Sequence, residues 1–152
     1  MIAITGGTIY TITNGIIKDG VILIENGKII DVGTKIPVPE GSDVIDASGR
    51  IVMPGMIDAH THLGVLIDGV GDEGKDLNEM SDPVTPHLRV LDAIDPFDPA
   101  FEEVRNAGIT TVLVMPGSAN PIGGKCSVIK TWGRTVEEML CIEDAGMKFA
   151  LG

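Results

Sequence analysis

The chain has 152 residues, a formal net charge of -11 and 43% hydrophobic residues, a composition that predicts a substantial buried core. Its 11 Lys and Arg against 22 Asp and Glu argue against nucleic-acid binding, which needs clustered cations. No apolar run reaches the ~18 residues of a membrane span, no charged segment leads into an apolar one, and Cys126 and Cys141 make neither a disulfide framework nor a zinc ribbon, so the expectation is a soluble, cytoplasmic protein with free thiols.

Residues 1–53 read as short strands that make a small β-sandwich half-domain. Thr8 to Thr13 is rich in β-branched residues. Val21 to Gly33 is a hairpin with Asn26-Gly27 at its turn, because Asn-Gly supplies the positive φ values of a type I′ turn. A further short strand precedes Asp46-Ala47-Ser48-Gly49.

Beyond Pro54-Gly55 the pattern changes, and residues 54–152 form a second domain. Met56 to His62 reads as a strand whose alternation puts Met56, Asp58, His60 and His62 on one face. A Pro-broken loop of about 35 residues follows, a length that is uncommon unless functional or disordered, with a short helix expected around His87 to Ile94. Half of the acidic groups lie between Asp68 and Glu103. This run is a solvated acidic loop or a mouth that favours cations.

Asp98 is a good N-cap, with Pro99 at the first helical position, Phe101 and Val104 on the buried face and Gly108 at the end. Ile109 to Met115 is a continuous apolar strand. A capping box at Thr135-Val136-Glu137-Glu138 opens a helix expected to run to Gly146, and Met147 to Leu151 reads as a third parallel strand. The order β, α, β, α, β implies a right-handed parallel α/β sheet.

Chemistry concentrates at Asp58-Ala59-His60-Thr61-His62. Imidazoles at i and i+2 can reach one metal ion, and neutral imidazole suits zinc and its neighbours. The plain alternative is two solvated histidines at a strand end. Asp58 is a candidate acceptor that orients them, or a buried structural carboxylate. The loop Gly117 to Gly124 offers Ser118 and Asn120 to a substrate carboxylate, or is a simple Gly-Pro turn. His87 is a lone loop histidine. Ala119 to Cys126 looks like a damaged P-loop, but it lacks the first glycine, has Cys126 at the magnesium position and opens no helix. Lys125, Lys130 and Arg134 then read as surface or loop cations.

The run Ile51-Val-Met-Pro-Gly-Met-Ile-Asp-Ala-His-Thr-His-Leu-Gly64 resembles the opening of the amidohydrolase superfamily. Together with the β-rich leader and the Gly117 to Gly124 loop, it resembles the branch that contains imidazolonepropionase and related dipeptidases. The resemblance implies a (β/α)8 metal-dependent hydrolase barrel with its site at the C-terminal strand ends. It implies one or two divalent ions, most often zinc, held in part by His60 and His62, and hydrolysis of a C–N bond in a small amide or dipeptide-like substrate. It also implies a carboxylated lysine or a glutamate in some members, two more histidines and an aspartate that shuttles the proton; these positions are expected to lie outside this chain, which supplies only His60 and His62. Because such a barrel takes about 250 residues, the chain is expected to be an N-terminal fragment with an incomplete barrel. It is expected to be inactive alone and to depend on the remainder of a longer polypeptide or on a homo-oligomer. The competing reading is a non-catalytic assembly or binding protein that retains part of this fold.

Overall fold

The computed structural model describes residues 1–151, which form two compact units, Met1–Pro54 and Gly55–Gly152. Each is built around one sheet, and strands dominate both.

In the first unit β1 (Ile2–Tyr10) pairs antiparallel with β2 (Ile16–Glu25), and β2 with β3 (Lys28–Gly33). The hairpin turn has Asn26 at φ 51° and Gly27 at φ 73°, the positive pair that a type I′ turn requires and that Asn-Gly accommodates. On its other edge β1 pairs in parallel with β4 (Asp43–Asp46) and with β5 (Ile51–Val52). Ala3, Ile9, Ile22, Leu23 and Ala47 are buried, whereas Ile29, Ile30, Ile45 and Ile51 are exposed, so much apolar side chain in this unit lacks cover.

The second unit opens with β6 (Met56–Thr61), which runs parallel to β7 (Ile109–Val114). Between them lie two 3-10 turns, Gly71–Gly74 and Val90–Ala93, and helix α1 (Ala100–Asn106). The expected helix at 87–94 is therefore a single 3-10 turn. The long connection is tied down by backbone bonds such as Thr85 N–H to the Ile122 carbonyl at 2.9 Å and Lys125 N–H to the Leu88 carbonyl at 2.8 Å. It also supplies Val65, Val90 and Ile94 to a core shared with Phe101, Val112, Val114, Ile129 and Met139.

The later elements depart from the expected all-parallel order. After β7 the chain turns back directly into β8 (Ile122–Lys130), antiparallel to β7, and then β9 (Leu140–Phe149), antiparallel to β8. Strand β9 thus runs in the same direction as β6 and β7 but is separated from β7 by a reversed strand. The expected helix from Thr135 to Gly146 is one turn, α2 (Val136–Met139). Half of the capping box forms, with Thr135 Oγ1 accepting the Glu138 N–H at 3.3 Å, whereas the Glu138 carboxylate accepts the Arg134 N–H at 2.8 Å in place of the Thr135 N–H. The helix stops because Leu140 and Ile142 pair with Ile129 and Val128 of β8, and cross-strand pairing outweighs a local helix signal.

Candidate metal site

The site is built at the end of β6. The His60 and His62 rings lie with centroids 5.6 Å apart and planes perpendicular, so the two imidazoles do come together. His60 is exposed and His62 half-buried. His62 Nδ1–H donates to the Met115 carbonyl at 2.8 Å. A carbonyl only accepts, so Nδ1 carries a proton, and in the neutral ring Nε2 keeps its lone pair. A backbone carbonyl behind one ring nitrogen is the usual support of an imidazole that ligates through the other. Two rings that share an ion at Zn–N distances of about 2.0–2.1 Å have centroids roughly 5–6 Å apart, which the observed spacing fits.

Strand pairing fixes the backbone around this pair. Thr61 sits beside Val114, with Met115 N–H donating to the Thr61 carbonyl at 3.1 Å and Thr61 Oγ1–H to the Leu113 carbonyl at 3.2 Å. After His62 the chain turns sharply, and the His62 carbonyl accepts from Val65 N–H at 3.2 Å and Leu66 N–H at 3.0 Å. Gly64 takes φ 77° in this turn, a conformation costly for a side-chain-bearing residue.

Asp58 does not follow the simple alternation. The β6–β7 register shifts between Asp58, beside Val112, and Thr61, beside Val114, so three residues of β6 span two of β7. The extra residue breaks the phase that would carry Asp58 to the histidine side. Its carboxylate accepts the His60 backbone N–H at 3.0 Å. Asp58 thereby shapes the backbone at the irregularity.

The substrate-loop candidates separate. Ser118 is exposed. Asn120 is 4% exposed, and its amide donates to the carbonyls of Glu79 at 2.7 Å and Asp82 at 3.0 Å. Both amide hydrogens thereby pin the acidic loop to the Gly117 to Gly124 turn, while the buried Oδ1 has no partner among the described residues. Ala119 N–H donates to Asn78 Oδ1 at 3.1 Å in the same seam. His87 is exposed. Lys125 pairs with Asp144 at 2.7 Å, Lys130 donates to Thr111 Oγ1 at 2.8 Å, and Arg134 lies 4.0 Å from Glu138.

The acidic stretch is a paired surface as well as a solvated one. Arg89 bridges Asp92 and Glu143, and these carboxylates hold its guanidinium even more firmly protonated than usual. A cleft of about 250 Å³ lies against Asp76, Asn78, Glu79, Arg89, Asp92 and Pro116.

One residue of interest has no motif to announce it in the sequence. Lys148 is 9% exposed, and its ammonium contacts Met115 Sδ at 3.7 Å. Val114 opposes Ser127 and Gly124 opposes Lys148, so alternation puts Met115, Cys126 and Lys148 on one side of the sheet. Burial pushes the Cys126 thiol up, and the neighbouring Lys148 charge opposes that shift. Among the described residues no carboxylate forms an ion pair with Lys148, and no three His, Cys, Asp or Glu side chains gather to hold a metal. A lysine in an apolar sequence context is the only linear signal, and its burial is not readable without knowing that β8 is reversed.

No family model matches the chain. A crystal structure of an amidohydrolase from Thermotoga maritima MSB8 superposes on all of the chain with a TM-score of 0.94 and 43% identity, over 39% of its own length. The amidohydrolase tasK of Hapsidospora irregularis is 41% identical over 115 residues, covering 73% of this chain and 12% of that protein. A 5-methylthioadenosine/S-adenosylhomocysteine deaminase of Symbiobacterium thermophilum is 33% identical over 122 residues, 75% of this chain and 28% of the relative. Shorter stretches match imidazolonepropionases and a dihydroorotase. The chain belongs to the amidohydrolase superfamily and corresponds to the N-terminal part of its members. It spans well under half the length of each of these proteins.

Proposed function

We propose that the chain carries the first ligands of a metal-dependent hydrolase that cleaves a C–N bond in a small amide or cyclic amide, in the manner of the imidazolonepropionase and dipeptidase-like branch. The observation that carries this reading is the His62 Nδ1–H bond to the Met115 carbonyl, which leaves Nε2 free beside a second imidazole 5.6 Å away. His60 and His62 would hold one divalent ion, zinc by the chemistry of the donors. When bound, such an ion supplies Lewis acidity toward a carbonyl and makes water acidic near neutral pH.

Lys148 is the third residue that this reading enlists. In its neutral form the amine can add CO₂, forming an N–C bond and releasing one proton, and the resulting carbamate is an oxygen donor. Two imidazoles and one carbamate still leave the shell short of further ligands. The chain by itself is therefore inactive, and its partners are the remaining ligands, from a longer polypeptide or from another copy, together with the substrate. Among the described residues no helix is long and apolar enough to cross a membrane. Free thiols at Cys126 and Cys141 support a cytoplasmic setting.

Zinc titration against a chromophoric chelator tests the reading. Wild-type protein takes up zinc, and His62→Ala weakens uptake more than His60→Ala, because only His62 is pre-oriented by Met115; each loses on the order of tenfold or more. Equal zinc uptake by wild type and the double variant would contradict it.

A further inference from the structure

We propose that Asp98 is a positioning residue for His62, acting through the turn that follows the histidine pair; this rests on the metal-ligand reading above. Asp98 is 2% exposed, and all its carboxylate bonds go to backbone. Oδ2 accepts Gly64 N–H at 3.0 Å, and Oδ1 accepts Asp68 N–H at 3.3 Å and Ala100 N–H at 3.0 Å. A carboxylate placed only to cap α1 would need the bond to Ala100 alone. The other two reach back by sequence separations of 34 and 30, to the segment leaving the histidines.

Gly64 is two residues beyond His62 and is held on both sides. Its N–H goes to Asp98, and its carbonyl accepts Asp95 N–H at 2.8 Å. The His62 carbonyl is in turn held by Val65 and Leu66. The imidazole therefore meets the Met115 carbonyl from a backbone anchored at its C-terminal side by one buried carboxylate. A charged acceptor makes stronger hydrogen bonds than a neutral one, and in a buried setting these fix the turn rather than merely satisfy it. Without the Asp98 carboxylate the turn keeps its local bonds and the Asp95 N–H bond to the Gly64 carbonyl but loses the two side-chain ties at Gly64 and Asp68. The His62 ring then samples positions in which Nδ1–H no longer meets Met115, and the proton is no longer confined to Nδ1.

The test uses the full chain in four forms: wild type, Asp98→Ala, Asp98→Asn and Thr131→Val. Thr131 is a control, also 2% exposed, whose Oγ1–H donates to the Ile109 carbonyl at 3.0 Å at the far end of β7. Two quantities are read: the His62 tautomer in metal-free protein by long-range ¹H–¹⁵N correlation, and zinc affinity by chelator competition. Wild type shows the Nδ1–H tautomer. Asp98→Ala shifts His62 toward a tautomer mixture and loses zinc affinity on the order of tenfold, while Asp98→Asn, which keeps one acceptor oxygen, recovers part of both. Thr131→Val lowers thermal stability without moving either readout.

Should folded Asp98→Ala retain the wild-type tautomer and affinity, the positioning role is overturned. It is equally overturned if Thr131→Val reproduces both changes, since the effect is then general loosening. If Asp98→Ala does not fold, Asp98→Asn decides alone by the same two readouts. Failure of the underlying ligand reading is distinct: wild type shows the Nδ1–H tautomer but takes up no zinc.

Discussion

At the scale of the residue, the most consequential contact is between a side chain and a main-chain atom. Met115 gives its carbonyl to His62 and its sulfur to Lys148, so one residue at the end of β7 links both candidate ligands. If Lys148 acts as a carbamate, bicarbonate at fixed pH tightens zinc binding by wild type on the order of tenfold and leaves Lys148→Met unchanged. Methionine keeps an unbranched stem in the buried position, so the variant isolates the amine. The same bicarbonate dependence in Lys148→Met would remove Lys148 from the site. The His60 and His62 pair is legible in the sequence because i, i+2 spacing on a strand is a local rule. Met115 and Lys148 are not: which residue opposes His62 depends on β7 register, and Lys148 reaches that side only through a reversed strand. The bonds of Asn120 to Glu79 and Asp82 are illegible for a related reason, since both partners lie in a loop whose path has no periodic signal.

At the scale of the element, helix α1 shows which local signals survive tertiary context. Phe101 on the buried face and Gly108 past the end behave as their chemistry predicts, and Asp98 accepts the Ala100 N–H at the helix start, although the helix opens one residue later than read, with Pro99 at its N-cap and Ala100 first. Phe101 is 3% exposed in the core with Val65, Ile94 and Val112. Phe101→Ala is expected to cost about 3–5 kcal/mol by loss of transfer energy plus a cavity, measured as a fall in the denaturation midpoint at constant slope. A cost below about 1 kcal/mol would show that this core does not hold the connection against the sheet. The cap at Thr135 is equally legible and its hydroxyl accepts the Glu138 N–H, yet it predicts the wrong length. A cap specifies where a helix starts, whereas its end here is set by Leu140 and Ile142 finding partners in β8. Strand β8 itself is visible only as a β-rich stretch, because direction is not written in composition.

At the scale of the whole molecule, two sheets and one histidine-centred site are what the chain provides. The first unit leaves Ile29 at 64% and Ile51 at 63% exposure, and the second leaves Ile57 at 72%. On the proposed reading, those side chains and the unpaired outer edges of both sheets are the surfaces that further polypeptide would cover. The coordination chemistry points the same way, for a hydrolytic zinc site takes more protein ligands than two imidazoles. X-ray absorption at the zinc edge of the zinc-loaded full chain is the most direct test of the histidine pair as a metal site. The expected spectrum has imidazole scattering from two nitrogens at about 2.0–2.1 Å with oxygen donors in the remaining positions, and this signature collapses in the His60→Ala, His62→Ala double variant. A first shell of oxygen alone, or a spectrum unchanged in the double variant, would contradict the claim that these two histidines hold the metal.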